Sequence, residues 1–374
     1  MKNNLTSQSI LSMKQKSIIL IFSTFVFLVI SQMGFAQQWE IRNPYQTVDW
    51  SDYGQYKANF HTHTTISDGR LNPQNVVDIY HSLGYAILAI TDHNFVTWPW
   101  TDFSGLPESN RSRERIANEP ETMPENLIFE NRDPDGLGII AIQANELSRH
   151  HHMGSFFNDH NEAPYGTRVE NRVTEQESLD AVANKNGIAM LYHPGRYDRT
   201  AEWYTNLYLK NDHLFGLEVY NQGDRYPNDR VIWDSILSVT MPERPVWGYS
   251  NDDMHARRNL GYNWNIMILP ELTLDWVRKG MENGLSFFVY APSGHNGPEP
   301  PTIHSIDVNQ QEGVIKITAS GADSIQWISN GNVVFEGNEI NLNELEGLGS
   351  YVRAVIFGAE NSIIGTQPFG IVKH

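Results

Sequence analysis

Histidine and carboxylate residues recur through this chain at spacings that suit metal chemistry. His61-Thr-His63 is followed by Asp68 in the run TTISDG. Asp92-His93, Glu146 with the triplet His150-His151-His152, His193-Pro194, and Asp252-Asp253-Met254-His255 complete the series. In an extended segment, residues two apart point the same way, so His61 and His63 can face one ion. Neutral imidazole is the commonest metal ligand, yet one His-x-His or Asp-x-His alone is an ordinary surface pattern. Recurrence decides the matter, because burying so many ionisable groups together without a metal carries a large desolvation cost. The ligand set is nitrogen and oxygen only, which favours Mn²⁺, Fe or Zn²⁺ over soft metals. Cysteine is absent. Disulfides, thiolate metal sites, a cysteine nucleophile and a lipoprotein anchor are thereby excluded.

Each of these groups closes a short apolar run: YKANFH (56–61), AILAIT (86–91), GIIAIQAN (138–145), GIAMLYH (187–193) or PVWGYSN (245–251). FGLEVYN (215–221) and NIMILP (265–270) are further runs, the former carrying Glu218. Near-continuous apolar runs suit strands buried on both faces, as in parallel sheets covered by helices. Helices are predicted over Pro73–Leu83 behind an Asn72 cap, Thr174–Asn186 with a capping box, and Leu272–Asn283, each stopped by Gly. Repeated strand–helix units predict an α/β barrel over 56–292, where catalytic groups come from the carboxyl ends of several strands. Residues 37–55 precede it as an N-terminal extension. The stretch 95–137, with Trp98, Trp100, Arg111, Arg113, Arg115 and Arg132, interrupts the rhythm and is a candidate substrate lid. Residues 293–301 close a Pro- and Gly-rich linker, and 302–374 alternate apolar and polar residues between turn signals. That texture predicts a small all-β sandwich of about seven strands.

The 13-residue apolar run 18–30, preceded by Lys14 and Lys16 and followed by Gly34-Phe35-Ala36, matches a secretory signal peptide over 1–36. It is short for a membrane span, which needs about 20 apolar residues. Cleavage after Ala36 removes three Lys and no acid, taking the net charge from −17 to −20 and leaving 338 residues. An exported protein, periplasmic or extracellular, is expected, with no membrane contact after cleavage. The acidic balance argues against general nucleic-acid binding. Oligomeric state is not legible.

The series HTHTTISDG (61–69), LAITDHN (88–94), the Glu146 strand end, LYHPGR (191–196) and SNDDMH (250–255) resembles the PHP (polymerase and histidinol phosphatase) superfamily over about residues 56–292, with the motifs in family order. The resemblance implies a distorted (β/α)7 barrel, with the C-terminal β-sandwich as an added domain, and phosphoester hydrolysis by a metal-activated hydroxide. Carried over by motif, His61, His63, Glu146 and Asp253 hold one ion and carry catalysis. A second shares Glu146 and adds His193 with a triplet histidine; the His-x-x-Gly spacing ahead of Gly154 selects His151, with His152 behind it. Asp68, His93 and His255 hold a third, Asp68 standing where many relatives have histidine. Arg196, Arg257 and Arg258 are placed by sequence to bind the phosphate of a small phosphorylated substrate. Glu218 either orients a ligand histidine or caps the next segment; Asp92 and Asp252 share that ambiguity, Asp92 on the structural side. Two rival functions remain: a metal-dependent C–N or C–O hydrolase, and a non-catalytic exported binding protein.

Overall fold

The structure, a computed structural model, describes residues 39–102, 104–106, 109, 133–170 and 173–374. The signal-peptide segment 1–36 and the insertion residues Arg111, Arg113, Arg115 and Arg132 lie outside the described residues. The first strands are β1 (Trp39–Arg42), β2 (Gly54–Asn59), β3 (Ile87–Ala89), β4 (Ile140–Ile142), β5 (Ala144–Leu147), β6 (Met153–Phe156), β7 (Ile188–Leu191), β8 (Leu214–Asn221), β9 (Trp247–Asn251), β10 (Asn263–Leu269) and β11 (Ser286–Tyr290). All seven apolar runs carry strands, and GIIAIQAN carries two, broken at Gln143. The helices are α1 (Pro73–Ser82), α2 (Pro134–Leu137), α3 (Glu175–Asn184), α4 (Ala201–Lys210), α5 (Asn228–Thr240) and α6 (Leu274–Asn283).

Local sequence fixes the helix starts as expected, but the glycine stop predicted for α3 is taken instead by Asn186, at φ 57°, one residue before Gly187. Asn72 caps α1 by accepting from the Asn75 N–H; Thr174 and Glu177 form the reciprocal capping box of α3; Thr273 caps α6. Gly284, at φ 68°, ends α6 in the left-handed conformation that glycine adopts without a Cβ penalty.

The parallel expectation holds for β2–β3–β4 and for β7–β8–β9. It fails for β10, antiparallel to β2 and β11, and β6, a strand that no apolar run announces, is antiparallel to both β5 and β7. The connections explain this. Only residues 148–152 join β5 to β6, and 252–262 join β9 to β10. Neither is long enough for the helical crossover that a parallel neighbour needs.

Side chains from β2 to β10 and α6 meet in one buried apolar cluster, including Phe60, Met190, Tyr192, Phe215 and Tyr249. A second cluster packs α3, α4 and α5 on the other face of β7 and β8, through Leu179, Tyr204, Tyr208 and Trp233. Among the described residues, no helix is long and apolar enough to cross a membrane.

Eight strands follow: β12 (Thr302–Asn309), β13 (Val314–Ser320), β14 (Ser324–Ser329), β15 (Asn332–Glu336), β16 (Glu339–Asn341), β17 (Tyr351–Phe357), β18 (Ile363–Gly365) and β19 (Phe369–Lys373). β12, β13 and β16 form a three-stranded sheet. The others join the large sheet, because β18 pairs with β11 and β19 with β1. A buried ion pair, Arg353 Nη2 to Asp234 Oδ2 at 2.7 Å, ties β17 to α5. Mutual neutralisation and the Tyr351 hydroxyl on the same carboxylate compensate the burial of both charges.

Candidate metal centre

The carboxyl ends of the parallel strands converge. His61 and His63 follow β2, His93 follows β3, Glu146 lies on β5, His193 follows β7, and Asp253 and His255 follow β9. His152 directly precedes antiparallel β6, whose starting end faces the same way. Backbone bridges between Thr62 and Met254, and between His93 and Glu146, hold these loops in register beyond the strands.

His61 and His63 are fully buried, with their Nε2 atoms 3.1 Å apart. Asp253 Oδ1 lies 3.3 Å from His61 Nε2 and 3.2 Å from His63 Nε2. Glu146 approaches His61 at 3.6 Å, His63 at 3.4 Å, His193 at 3.4 Å, His93 at 2.8 Å and His152 at 2.7 Å. Asp68 Oδ1 stands 3.4 Å from His93 Nε2 and 3.2 Å from His255 Nε2. Four overlapping sets bring their donor atoms within 4.8 Å: His63, Asp68, His93 and His255; His61, His63 and Glu146; His61, His193 and Asp253; His93, Glu146 and His152.

The tautomers follow from the surrounding acceptors. His61 Nδ1 lies 2.9 Å from Glu218 Oε1, and an ionised carboxylate only accepts, so Nδ1 carries the proton. His255 Nδ1 donates to the Asp253 carbonyl at 2.9 Å. Ser67 Oγ gives its proton to Asp92 and so accepts from His63 Nδ1, 3.4 Å away. The Nε2 lone pairs of His61 and His63 are therefore turned toward each other and toward carboxylate oxygens. Acceptors crowded in this way fit a cation. The donor chemistry agrees: imidazole and carboxylate suit Zn, Fe and Mn.

Histidines hold Asp68, Asp253 and Glu146 well below the usual carboxylate range, against burial, which acts the other way. The three clustered carboxylates are thus anionic at neutral pH. Burial lowers His63 and His152 to about 4. Glu146 and Asp68 outweigh burial at His93 and raise it to about 10.

The surrounding residues lock the ligands. Glu218, fully buried, accepts from His61 Nδ1, from the His193 N–H at 2.8 Å, and from Asn221 and Asn251 Nδ2 at 2.9 and 3.0 Å. Of the two roles open to it in the sequence, orienting a ligand is the one its contacts serve. Asp92 accepts from the Thr64 N–H and from the hydroxyls of Thr64, Ser67 and Thr97, which shapes the 61–69 loop. Asp252 accepts from the N–H groups of Gly261, Tyr262 and Asn263 and pins the segment after His255; burial raises it to about 6. Two candidate ligands sit in the left-handed region, His193 at φ 31° and Asp253 at φ 45°, a backbone cost of the kind that clusters at functional sites.

Alternation along β6 corrects the choice of His151. Gly154 faces inward, where a Cβ would collide with the Tyr192 hydroxyl, whereas Met153 packs in the outer cluster with α3 and α4. His152 shares the inward face with Gly154, and His151 shares the outward face with Met153. Its ring stacks on Tyr197, with centroids 4.1 Å apart, and its Nε2 lies 3.1 Å from the Tyr204 hydroxyl. His150 also faces away and meets Ser178 Oγ at 2.7 Å.

A cavity of about 590 Å³ opens over the centre, lined by Asp68, His93, Glu146, His152, His193, Asp253 and His255. Arg196 and Arg258 line it as expected; Arg257, on the same short helical turn, does not. Sequence reasoning missed Arg70 and Arg225, which line it too. Arg70 directly follows the SDG of the first motif, a signal that could have been read. Tyr165 was also missed: its hydroxyl meets Asp68 Oδ2 at 3.2 Å, and its ring stacks on His93 at 4.4 Å. No periodicity marks it, because it arrives on an irregular loop. Trp100 of the expected lid is instead a core residue, 1 % exposed, while Trp98 is 38 % exposed.

No family model matches the chain. The 5′-3′ exoribonuclease Rnm of Salmonella typhimurium is 22 % identical over 252 residues, covering 53 % of this chain and 84 % of that protein. A two-domain protein from Bacteroides vulgatus, containing a predicted PHP-like metal-dependent phosphoesterase, aligns in structure over 85 % of this chain and 88 % of its own, at 16 % identity and a TM-score of 0.46. An amidohydrolase from Chromobacterium violaceum aligns over 54 % of this chain and 88 % of its own, at 15 % identity and a TM-score of 0.36.

Proposed function

We propose that this chain is a metal-dependent phosphoesterase of the PHP superfamily, built as a distorted (β/α)7 barrel over 56–292 with a β-sandwich over 302–374. One observation carries the reading: the clustered N/O donors face a cavity whose other charged lining, among the described residues, is arginine: Arg70, Arg196, Arg225 and Arg258. Metal donors and guanidinium groups lining one cavity suit a phosphate ester, which presents anionic oxygens to both.

His61, His63, Glu146 and Asp253 would hold one divalent ion. Glu146 would be shared with a second, together with His152 and His193, and Asp68, His93 and His255 would hold a third. When bound, such ions lower the pKa of a water and offset the charge that builds on phosphoryl oxygens. The chain's own residues do the rest. Glu218 keeps the His61 proton on Nδ1, so that Nε2 stays a donor to metal. Asp92 and Asp252 fix the loops that carry His63 and Asp253. Arg196, three residues beyond His193, is placed to bind the phosphate and orient it over the donors. The apolar run 18–30 supports export of the mature chain.

The test is turnover of 4-nitrophenyl phosphate and bis(4-nitrophenyl) phosphate with Mn²⁺, Zn²⁺ or Fe²⁺, beside a 4-nitroanilide. The reading expects chelator-sensitive hydrolysis of a phosphate ester and inhibition by inorganic phosphate. Cleavage of the anilide alone would move the activity to the C–N hydrolases.

A further inference from the structure

A second cavity, about 610 Å³, adjoins the first; Ser148, His152 and Arg196 line both. Arg149, Arg168 and Arg199 also line it. Among the described residues, the two cavities together gather seven arginines and no lysine. No acidic side chain among the described residues, apart from Asp68, Glu146 and Asp253, lines either one. In a chain of net charge −17 this is a strong segregation. Among the described residues, Arg168 and Arg196 make no ion pair, and the buried Arg149 Nε has no hydrogen-bond partner.

The side cavity is built rather than incidental. Arg149 donates through Nη1 to the Thr167 carbonyl at 2.9 Å and through Nη2 to the Ala163 and Pro164 carbonyls, which fixes the loop bearing Arg168. Those acceptors are neutral carbonyls, so the guanidinium keeps its full charge. Arg199 pairs with Glu175 at 3.1 Å and packs over Trp203, which holds it beside Tyr197. An arginine cluster of this kind, opening onto a metal centre, provides forked donors for a second anion.

We infer that the side cavity is a subsite for a second phosphate carried by the substrate, so that the preferred substrate is a small bis-anionic phosphoester. The reacting ester lies over the metal donors, Arg196 stands between the two anions, and Arg168 and Arg199 receive the distal phosphate. This rests on the phosphoesterase reading, which it deepens.

The experiment compares propyl phosphate with α,ω-alkanediol bisphosphates of two to six carbons, measured by calorimetric binding and as inhibitors of 4-nitrophenyl phosphate hydrolysis. The full-length Mn²⁺-loaded protein and an Arg168→Ala/Arg199→Ala variant are used. At least one bisphosphate is expected to bind tenfold or more tightly than propyl phosphate, at one ligand per chain. The variant should lose that advantage while keeping its affinity for propyl phosphate and its 4-nitrophenyl phosphate turnover. Equal affinity across the series, two independent monophosphates per chain, or an advantage that survives in the variant would overturn the subsite. Absence of 4-nitrophenyl phosphate turnover bears on the phosphoesterase reading alone, because the calorimetry reads the subsite without catalysis.

Discussion

Glu218 Oε1 stands 2.9 Å from His61 Nδ1, and both side chains are fully buried. One carboxylate thereby sets which nitrogen of the histidine faces the centre. Its other oxygen takes the His193 N–H, so a single residue on β8 places two ligands from β2 and β7.

Replacing Glu218 with Gln keeps the volume but puts an amide NH2 in place of one of the two oxygens that accept from His61 and His193. Metal affinity is expected to fall about 10- to 100-fold, the usual effect of removing such a partner. Titration calorimetry with Mn²⁺ reads this directly, with circular dichroism to confirm the fold. An unchanged affinity would remove Glu218 from the metal centre.

His151 and His152 should separate cleanly. His152→Ala is expected to lower metal content with little change in the melting temperature of the metal-free protein. His151→Ala leaves a hole against Tyr197 and Tyr204 and should cost about 1–3 kcal/mol of stability with metal content intact. The opposite pattern would restore His151 as the ligand.

These two neighbours also mark where the sequence was legible and where it was not. The apolar runs and the capped helices could be read, because burial and end-capping act within a few residues. So could most ligands, since each closes a run. The face of His152 depends on β6 being a strand at all, and Met-Gly-Ser-Phe carries too little apolar signal to announce one. Glu218 is visible as a strand-end acid, but its role depends on His61, 157 residues away. Tyr165 meets Asp68 across 97 residues from a loop without periodicity. Separations of that kind are set by packing, which single-sequence patterns do not encode.

Arg196 lines both cavities and makes no ion pair among the described residues. Arg196→Ala is expected to raise the KM for a phosphate ester about tenfold, the value of one charge-assisted hydrogen bond, with metal content retained. Steady-state kinetics beside metal analysis checks it, and an unchanged KM would remove Arg196 from the phosphate site.

Asp229 gives a prediction about pH. Burial raises it from 3.8 to about 8, although its Oδ1 accepts from the Gly195 N–H at 2.6 Å. The folded chain therefore holds a proton that the unfolded chain releases, and this group weakens stability as pH rises from about 4 to about 8. Asp229→Asn keeps the acceptor and removes the charge. Its melting temperature should exceed that of the parent by several degrees at pH 8.5 and match it near pH 4, both measured in chelator. A gain that does not vary with pH would contradict the assignment.

The central claim is that the His and carboxylate cluster binds metal and that the metal hydrolyses phosphate esters. The most direct measurement is metal content by plasma mass spectrometry on the purified protein, paired with nitrophenol release from 4-nitrophenyl phosphate and its bis ester. The account predicts two or three Mn, Fe or Zn ions per chain, with turnover abolished by a chelator and restored by the ion. A chain that takes up no metal even after reconstitution would contradict it.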